Sequence, residues 1–215
     1  LGFVRWQRQI FIRDGAVVDC PEDMELEVIR HTCAHTMAQA VKRLYPEADF
    51  GYGPATEKGF YYDIDMGDTK LTEDDLPAIE EEMRKIVKEN LPIRPSILPR
   101  PEAIALMQER GEKYKVEHID DLPEDAEISF FTQGEYVDMC TGPHLRYTKA
   151  LKAFKLTSIS GAYWKNNSEN KMLTRIYGIA FRNQTELDEY VKMMEEAEKR
   201  DHRKIGKEMD LFMMR

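Results

Sequence analysis

Apolar residues recur with a helical period at Leu26, Ile29, Cys33, Met37, Ala40 and Leu44, which predicts a helix over 24–44. Asp23 is its expected N-cap and Pro46 its stop. The run Gly59-Phe60-Tyr61-Tyr62-Asp63-Ile64-Asp65 reads as a strand, aimed by the loop residues Gly51, Gly53 and Pro54. Thr72 and Asp75 have capping-box spacing ahead of a helix carrying Leu76, Ile79, Met83, Ile86 and Val87. That helix's other face pairs Glu80 with Arg84 and Glu81 with Lys85, a solvated surface. Pro92, Pro95 and Pro99 allow only an edge strand at 93–98, and Pro101 and Gly111 bracket a short helix. Further strands are expected at 114–119, 127–132, 135–139, 153–160 and 172–179, then a charged helix from Thr185 to about Phe212. At the head, Arg8–Arg13 and 16–19 read as a strand pair about an Asp14-Gly15 turn. This order implies an α+β fold, an antiparallel sheet covered by helices, and not a doubly wound parallel sheet.

Composition narrows the class. The chain has 215 residues, 42% hydrophobic and 33% charged, enough for one good core with appendages. No stretch approaches the ~18 apolar residues of a membrane span, and the first residues lack the apolar run of a signal peptide. The chain starts at Leu1 without an initiator Met, and reads as a piece of something larger. Cys20, Cys33 and Cys140 are odd in number and widely spaced, which is no disulfide framework and suits a reducing, cytoplasmic location. A net charge of −9 argues against strong non-specific nucleic-acid binding, though not against a domain held near RNA by an attached module.

The candidate chemistry lies in two short segments. His31 and His35 are four residues apart in the first helix, so both imidazoles share a face. Cys140 and His144 flank Gly142-Pro143 in a loop. Cys33, about 200° around the helix from either histidine, faces the core. Three readings stay open on the residues alone. The four side chains suit tetrahedral zinc. A neutral imidazole suits water activation, with Lys115 and Asp138 as charged helpers. Or the histidines are only packed and hydrogen-bonded. Tyr61 and Tyr62 alternate across a strand, so one of them faces any given cleft. Lys165, Lys171 and Arg175 with Tyr163 and Trp164 form a basic, aromatic patch, read equally as an RNA surface or an ordinary hairpin.

Taken in order, His31-x3-His35, Gly53-Pro54, Gly59-Phe60-Tyr61-Tyr62-Asp63, Tyr136-Val137-Asp138-Met139-Cys140-x-Gly142-Pro143-His144, Gly161-Ala162-Tyr163-Trp164, Arg175-Ile176-Tyr177-Gly178 and Arg200-Asp201-His202-Arg203 resemble the editing domain of bacterial-type threonyl-tRNA synthetases. The resemblance covers about 24–213. It implies the editing fold shared by threonyl- and alanyl-tRNA synthetases at 23–183. Residues 1–22 would be a flanking segment or the remnant of a preceding module, and 184–215 a linker helix toward an aminoacylation core lying outside this chain. The implied activity is hydrolysis of mischarged seryl-tRNA(Thr), with the serine-bearing acceptor end of tRNA(Thr) as partner. The implied site has His31 and Lys115 as catalytic residues. His35, Tyr62, Asp138, Cys140 and His144 bind the substrate, and no metal takes part. ATP, magnesium and zinc would belong to the core, through which the parent synthetase would be a homodimer. Two alternatives remain: a tRNA-docking module without hydrolysis, and a zinc-dependent trans-editing factor of the alanyl type.

Overall fold

The computed structural model describes residues 9–11, 17–19 and 24–213. In chain order the elements are β1 (Gln9–Phe11), β2 (Val17–Asp19), α1 (Glu25–Leu44), β3 (Asp49–Phe50), β4 (Ala55–Thr56), β5 (Gly59–Asp65), α2 (Leu76–Glu89), β6 (Ile93–Leu98), α3 (Arg100–Glu109), α4 (Lys113–Asp121), β7 (Ile128–Gln133), β8 (Tyr136–Met139), β9 (His144–Leu145), β10 (Ala153–Tyr163), β11 (Met172–Phe181) and α5 (Gln184–Met213). Every pairing is antiparallel, in an α+β arrangement. Among the described residues the single expected sheet is three: β10-β11-β5-β3 with β4 on β5, β6-β7-β8, and β2-β1-β9. The Asp14-Gly15 turn and the Asp23 cap lie outside the described residues.

Helix α1 is the axis of the molecule. From Val28 to Val41 every residue except His31 is buried. Cys33, Met37 and Val41 pack with Phe60, Ile64 and Ile176 of the larger sheet and with Ile79 and Met83 of α2. The capping box at the start of α2 forms as expected, Thr72 N–H donating to Asp75 at 2.8 Å. At its other end Asn90 takes the left-handed conformation (φ 54°) that closes a helix.

A second core lies under α3 and α4, where Met107, Ile119, Ile128 and Phe130 meet. Here the strand expected at 114–119 is in fact helix α4. Tyr114, Val116 and His118 alternate like a strand, but Val116 and Ile119, three apart, are the pair that packs on α3. In so short a run the two periods overlap, and tertiary packing decides. Arg100 ties the end of α4 to the turn after it, donating to the carbonyls of Ile119 (2.7 Å) and Pro123 (2.8 Å).

The basic, aromatic patch is not an RNA surface built on Trp164. That indole is buried, stacks on Tyr52 at 4.6 Å and donates to Glu117 at 3.1 Å. Lys165 pairs with Glu117 and Asp121, and Lys171 with Asp65.

Candidate active site

Two segments remote in sequence meet at α1. His31 and His35 stand one turn apart with ring centroids 4.9 Å from each other. His144 enters from β9 and lies 4.2 Å from both. Cys140, on the loop after β8, brings Sγ to 3.1 Å from His144 Nε2. The loop reaches this position through Gly142, whose φ of 64° favours glycine and whose added Cβ would meet the Phe131 ring at 2.6 Å. Thr32 fastens it to the helix: its hydroxyl accepts from Leu145 N–H at 3.1 Å and lies 3.2 Å from His144 Nδ1.

Beside the imidazoles lies a buried charged pair. Lys115 Nζ is 2.7 Å from Asp138 Oδ1 and donates to the Tyr62 hydroxyl at 2.9 Å. That hydroxyl donates to Asp138 Oδ2 at 2.5 Å, and Tyr136 donates to the same oxygen at 3.3 Å. His35 Nε2 stands 3.4 Å from Asp138 Oδ2, joining the imidazoles to the pair. Burying an ion pair is tolerable only when hydrogen bonds occupy its remaining polar groups, as the two phenols do here. Gly53 gives Tyr62 its place, since a Cβ there would lie 2.1 Å from the Tyr62 ring.

All seven sequence-predicted residues therefore come together, and all but His144 line one cleft of about 490 Å³. Tyr61 and Tyr62 both line it although they point to opposite faces of β5, so the expectation that only one would do so is corrected. Tyr52, Gly53, Pro54 and Ala55 line the same cleft. Thr32 and Tyr136 were missed, and Gly53 was read only as a loop residue aiming the strand. Tyr136 is legible in hindsight, because i,i+2 spacing on β8 puts it on the face of Asp138. Thr32 leaves no periodic signal.

Burial dominates the electrostatics. It lowers the pKa of His31, and lowers those of His35 and His144 well below the usual imidazole value, with neighbouring imidazoles adding to the effect. All three are neutral at neutral pH. A neutral imidazole keeps a lone pair on one ring nitrogen, and the nearby Pro143 carbonyl only partly offsets the effect of burial on His31. Burial pushes the Cys140 thiol upward, so it is no thiolate nucleophile at rest. Burial and the Asp138 charge also raise Tyr62 well above a free phenol, which keeps it a donor.

The donor set also fits a metal. One ligand atom each from His31, His35, Cys140 and His144 lies within 4.8 Å of the others. Tetrahedral zinc asks for roughly 3.3–3.8 Å between such atoms, given its bond lengths. The chemistry is right, and the widest separations would have to contract.

Residues 128–177 match the family described as threonyl and alanyl tRNA synthetase second additional domain. The chain is 59% identical over 186 residues to the threonine--tRNA ligase of Clostridium acetobutylicum, an alignment covering 86% of this chain and 29% of that protein. It is 58% identical over 194 residues to that of Clostridioides difficile, covering 90% and 30%. For Geobacillus kaustophilus the figures are 55% over 201 residues, covering 93% and 31%. The chain thus spans about 30% of the length of these curated relatives. No helix among the described residues is long and apolar enough to cross a membrane.

Proposed function

We propose, on the premise that this chain carries the second additional domain of threonyl and alanyl tRNA synthetases, that it hydrolyses the ester joining serine to the 3′ end of tRNA(Thr). The observation that carries this reading is the union, in one cleft, of a neutral His31 with the buried Lys115–Asp138–Tyr62 group. Such an activity answers a physical problem. Serine is threonine less a methyl group, and one such group gives a binding pocket only about 1–3 kcal/mol of discrimination. A second site that admits serine and excludes threonine multiplies the selectivity.

In the proposed reaction the lone pair of His31 takes a proton from water, whose oxygen attacks the ester carbonyl carbon. Lys115 faces the oxyanion that develops. The carbon–oxygen bond to the ribose then breaks, and the proton held on His31 passes to the leaving ribose oxygen. His35 and Asp138 read the amine and hydroxyl of serine. Tyr62 and Cys140 form the wall that limits the size of the side chain, and His144, which does not line the cleft, backs Cys140. Residues 23–183 are the editing domain in this reading, and 184–215 lead toward an aminoacylation core. The ligase reaction with threonine, ATP, magnesium and zinc would belong to that core, in a cytoplasmic, dimeric parent enzyme.

A second reading rests on the four converging ligand atoms. Bound by His31, His35, Cys140 and His144, zinc would supply the positive charge that polarises the ester carbonyl. Release of serine from seryl-tRNA(Thr) by this chain, measured with and without a chelator, separates the readings. Hydrolysis indifferent to chelation supports the metal-free site; loss on chelation with recovery on adding zinc supports the metal. Absence of hydrolysis under both conditions leaves a tRNA-docking module.

A further inference from the structure

The outer face of the larger sheet carries an aromatic and guanidinium group that the proposed hydrolysis does not use. Arg175 on β11 stands opposite Asp63 on β5 and donates to both its carboxylate oxygens, at 2.6 and 2.8 Å. This fork fixes the plane of the guanidinium. Its Cζ lies 4.0 Å over the centroid of the Tyr61 ring. Tyr177, the cross-strand partner of Tyr61, puts its ring centroid 5.9 Å away. Next along the sheet, opposite Tyr177 and Arg175, come the short side chains of Ser158 and Ser160, which leave the face open. Tyr61, Arg175 and Tyr177 are each partly exposed.

Charge says what such a face holds. Asp63 neutralises Arg175, so the group offers phosphates little, in a chain whose net charge is −9. What it does offer is aromatic faces, tilted 54° to each other, beside a fixed guanidinium, surfaces on which unpaired bases stack without regard to sequence. Position says which bases. Tyr61 belongs both to this face and to the lining of the cleft, so the two are continuous. A serine ester in the cleft brings its terminal nucleoside with it, and the strand before that nucleoside has to leave across the cleft rim.

We infer that the Tyr61–Arg175–Tyr177 face is a stacking platform for the unpaired nucleotides that precede the serine-bearing terminal adenosine. The inference rests on the proposed hydrolysis and adds to it a path for the RNA. The test compares two substrates, seryl-tRNA(Thr) and the minimal ester seryl-adenosine, which has no preceding nucleotides. Tyr177→Leu should raise KM for the tRNA at least about fivefold, the loss of one weak base–aromatic stack, with kcat unchanged. The same variant should hydrolyse seryl-adenosine at the wild-type rate, and Tyr177→Phe, which keeps the ring, should restore the tRNA KM. An unchanged KM for the tRNA, or an equal loss on both substrates, overturns the platform. If the wild-type chain hydrolyses neither substrate, the hydrolytic reading fails, and the platform is tested by binding alone. An RNA hairpin with a single-stranded 3′ tail carrying 2-aminopurine at its next-to-last base should then be quenched by wild type and Tyr177→Phe, but not by Tyr177→Leu. Absence of quenching by wild type refutes it.

Discussion

Lys115 and Asp138 form an ion pair of 2.7 Å in which the two side chains are only 5% and 1% exposed. Removing one member of such a pair leaves a buried charge uncompensated, typically at about 3–5 kcal/mol. Lys115→Ala should therefore lower the unfolding midpoint as well as abolish deacylation. Lys115→Met combined with Asp138→Asn should regain most of the stability and none of the activity. Urea unfolding of the single and double variants measures this, and a double variant no more stable than Lys115→Ala contradicts it.

The two phenols on Asp138 should not be equal. Tyr62 donates at 2.5 Å and is held by Lys115, whereas Tyr136 donates at 3.3 Å. A hydrogen bond to a charged group contributes about 1.5–3 kcal/mol, with geometry setting the place in that range. Tyr62→Phe should cost more deacylation than Tyr136→Phe, and each should cost more kcat than KM. Equal effects from both would remove Asp138 as the common point.

Acid should weaken this fold early. His31, His35 and His144 all have pKa values lowered by burial, so the unfolded chain binds their protons first. Their contribution is complete above the unfolded value of about 6.5 and is lost as pH falls toward the folded values. The slope is at most about 1.4 kcal/mol per pH unit for each histidine. Urea unfolding at pH 7.5 and 5.5 should show the fall, and His144→Gln should reduce it. Deacylation should stay level to below pH 6.5, because His31 remains a neutral base there.

Gly53→Ala tests the shape of the cleft. Its new Cβ would meet the Tyr62 ring at 2.1 Å, and overpacking of this kind costs about 1–3 kcal/mol. The ring has to move, taking its hydroxyl from Lys115 and Asp138. Deacylation should fall at least as far as in Tyr62→Phe. An unchanged rate would show that the position of the ring is unimportant.

Cys140→Ser should retain hydrolysis, because a thiol pushed upward by burial is a poor nucleophile. No seryl thioester should be trapped on Cys140, and a chelator should leave the rate unchanged. Stoichiometric zinc by elemental analysis, with activity that follows it, would favour the metal reading.

Sequence was a good guide wherever one period acted over a long run. The stripe over 24–44 yields α1, with Cys33 turned to the core and the two histidines on another side. It failed where a run was short: Lys115 was expected on a strand and is delivered by a helix, α4, whose place depends on packing against α3. Trp164 was visible as an aromatic near lysines, yet nothing local announced the Tyr52 ring that covers it. Thr32, and the contact of Gly53 with the Tyr62 ring, escaped for a similar reason. Each acts through one contact with a segment distant in sequence, and such contacts leave no periodic trace.

The burial of α1 has a consequence for how this chain can change over time. Inserting one residue between His31 and Cys33 would turn everything beyond it by about 100°. That would swing His35 off its partners and drive Met37 and Val41 out of their packing in the same step. Because His31 is the only unburied residue from Val28 to Val41, no side of the helix is free to absorb such a rotation. A substitution along α1 leaves its register intact, whereas a change of length within this stretch breaks the core and the spacing of the two histidines together.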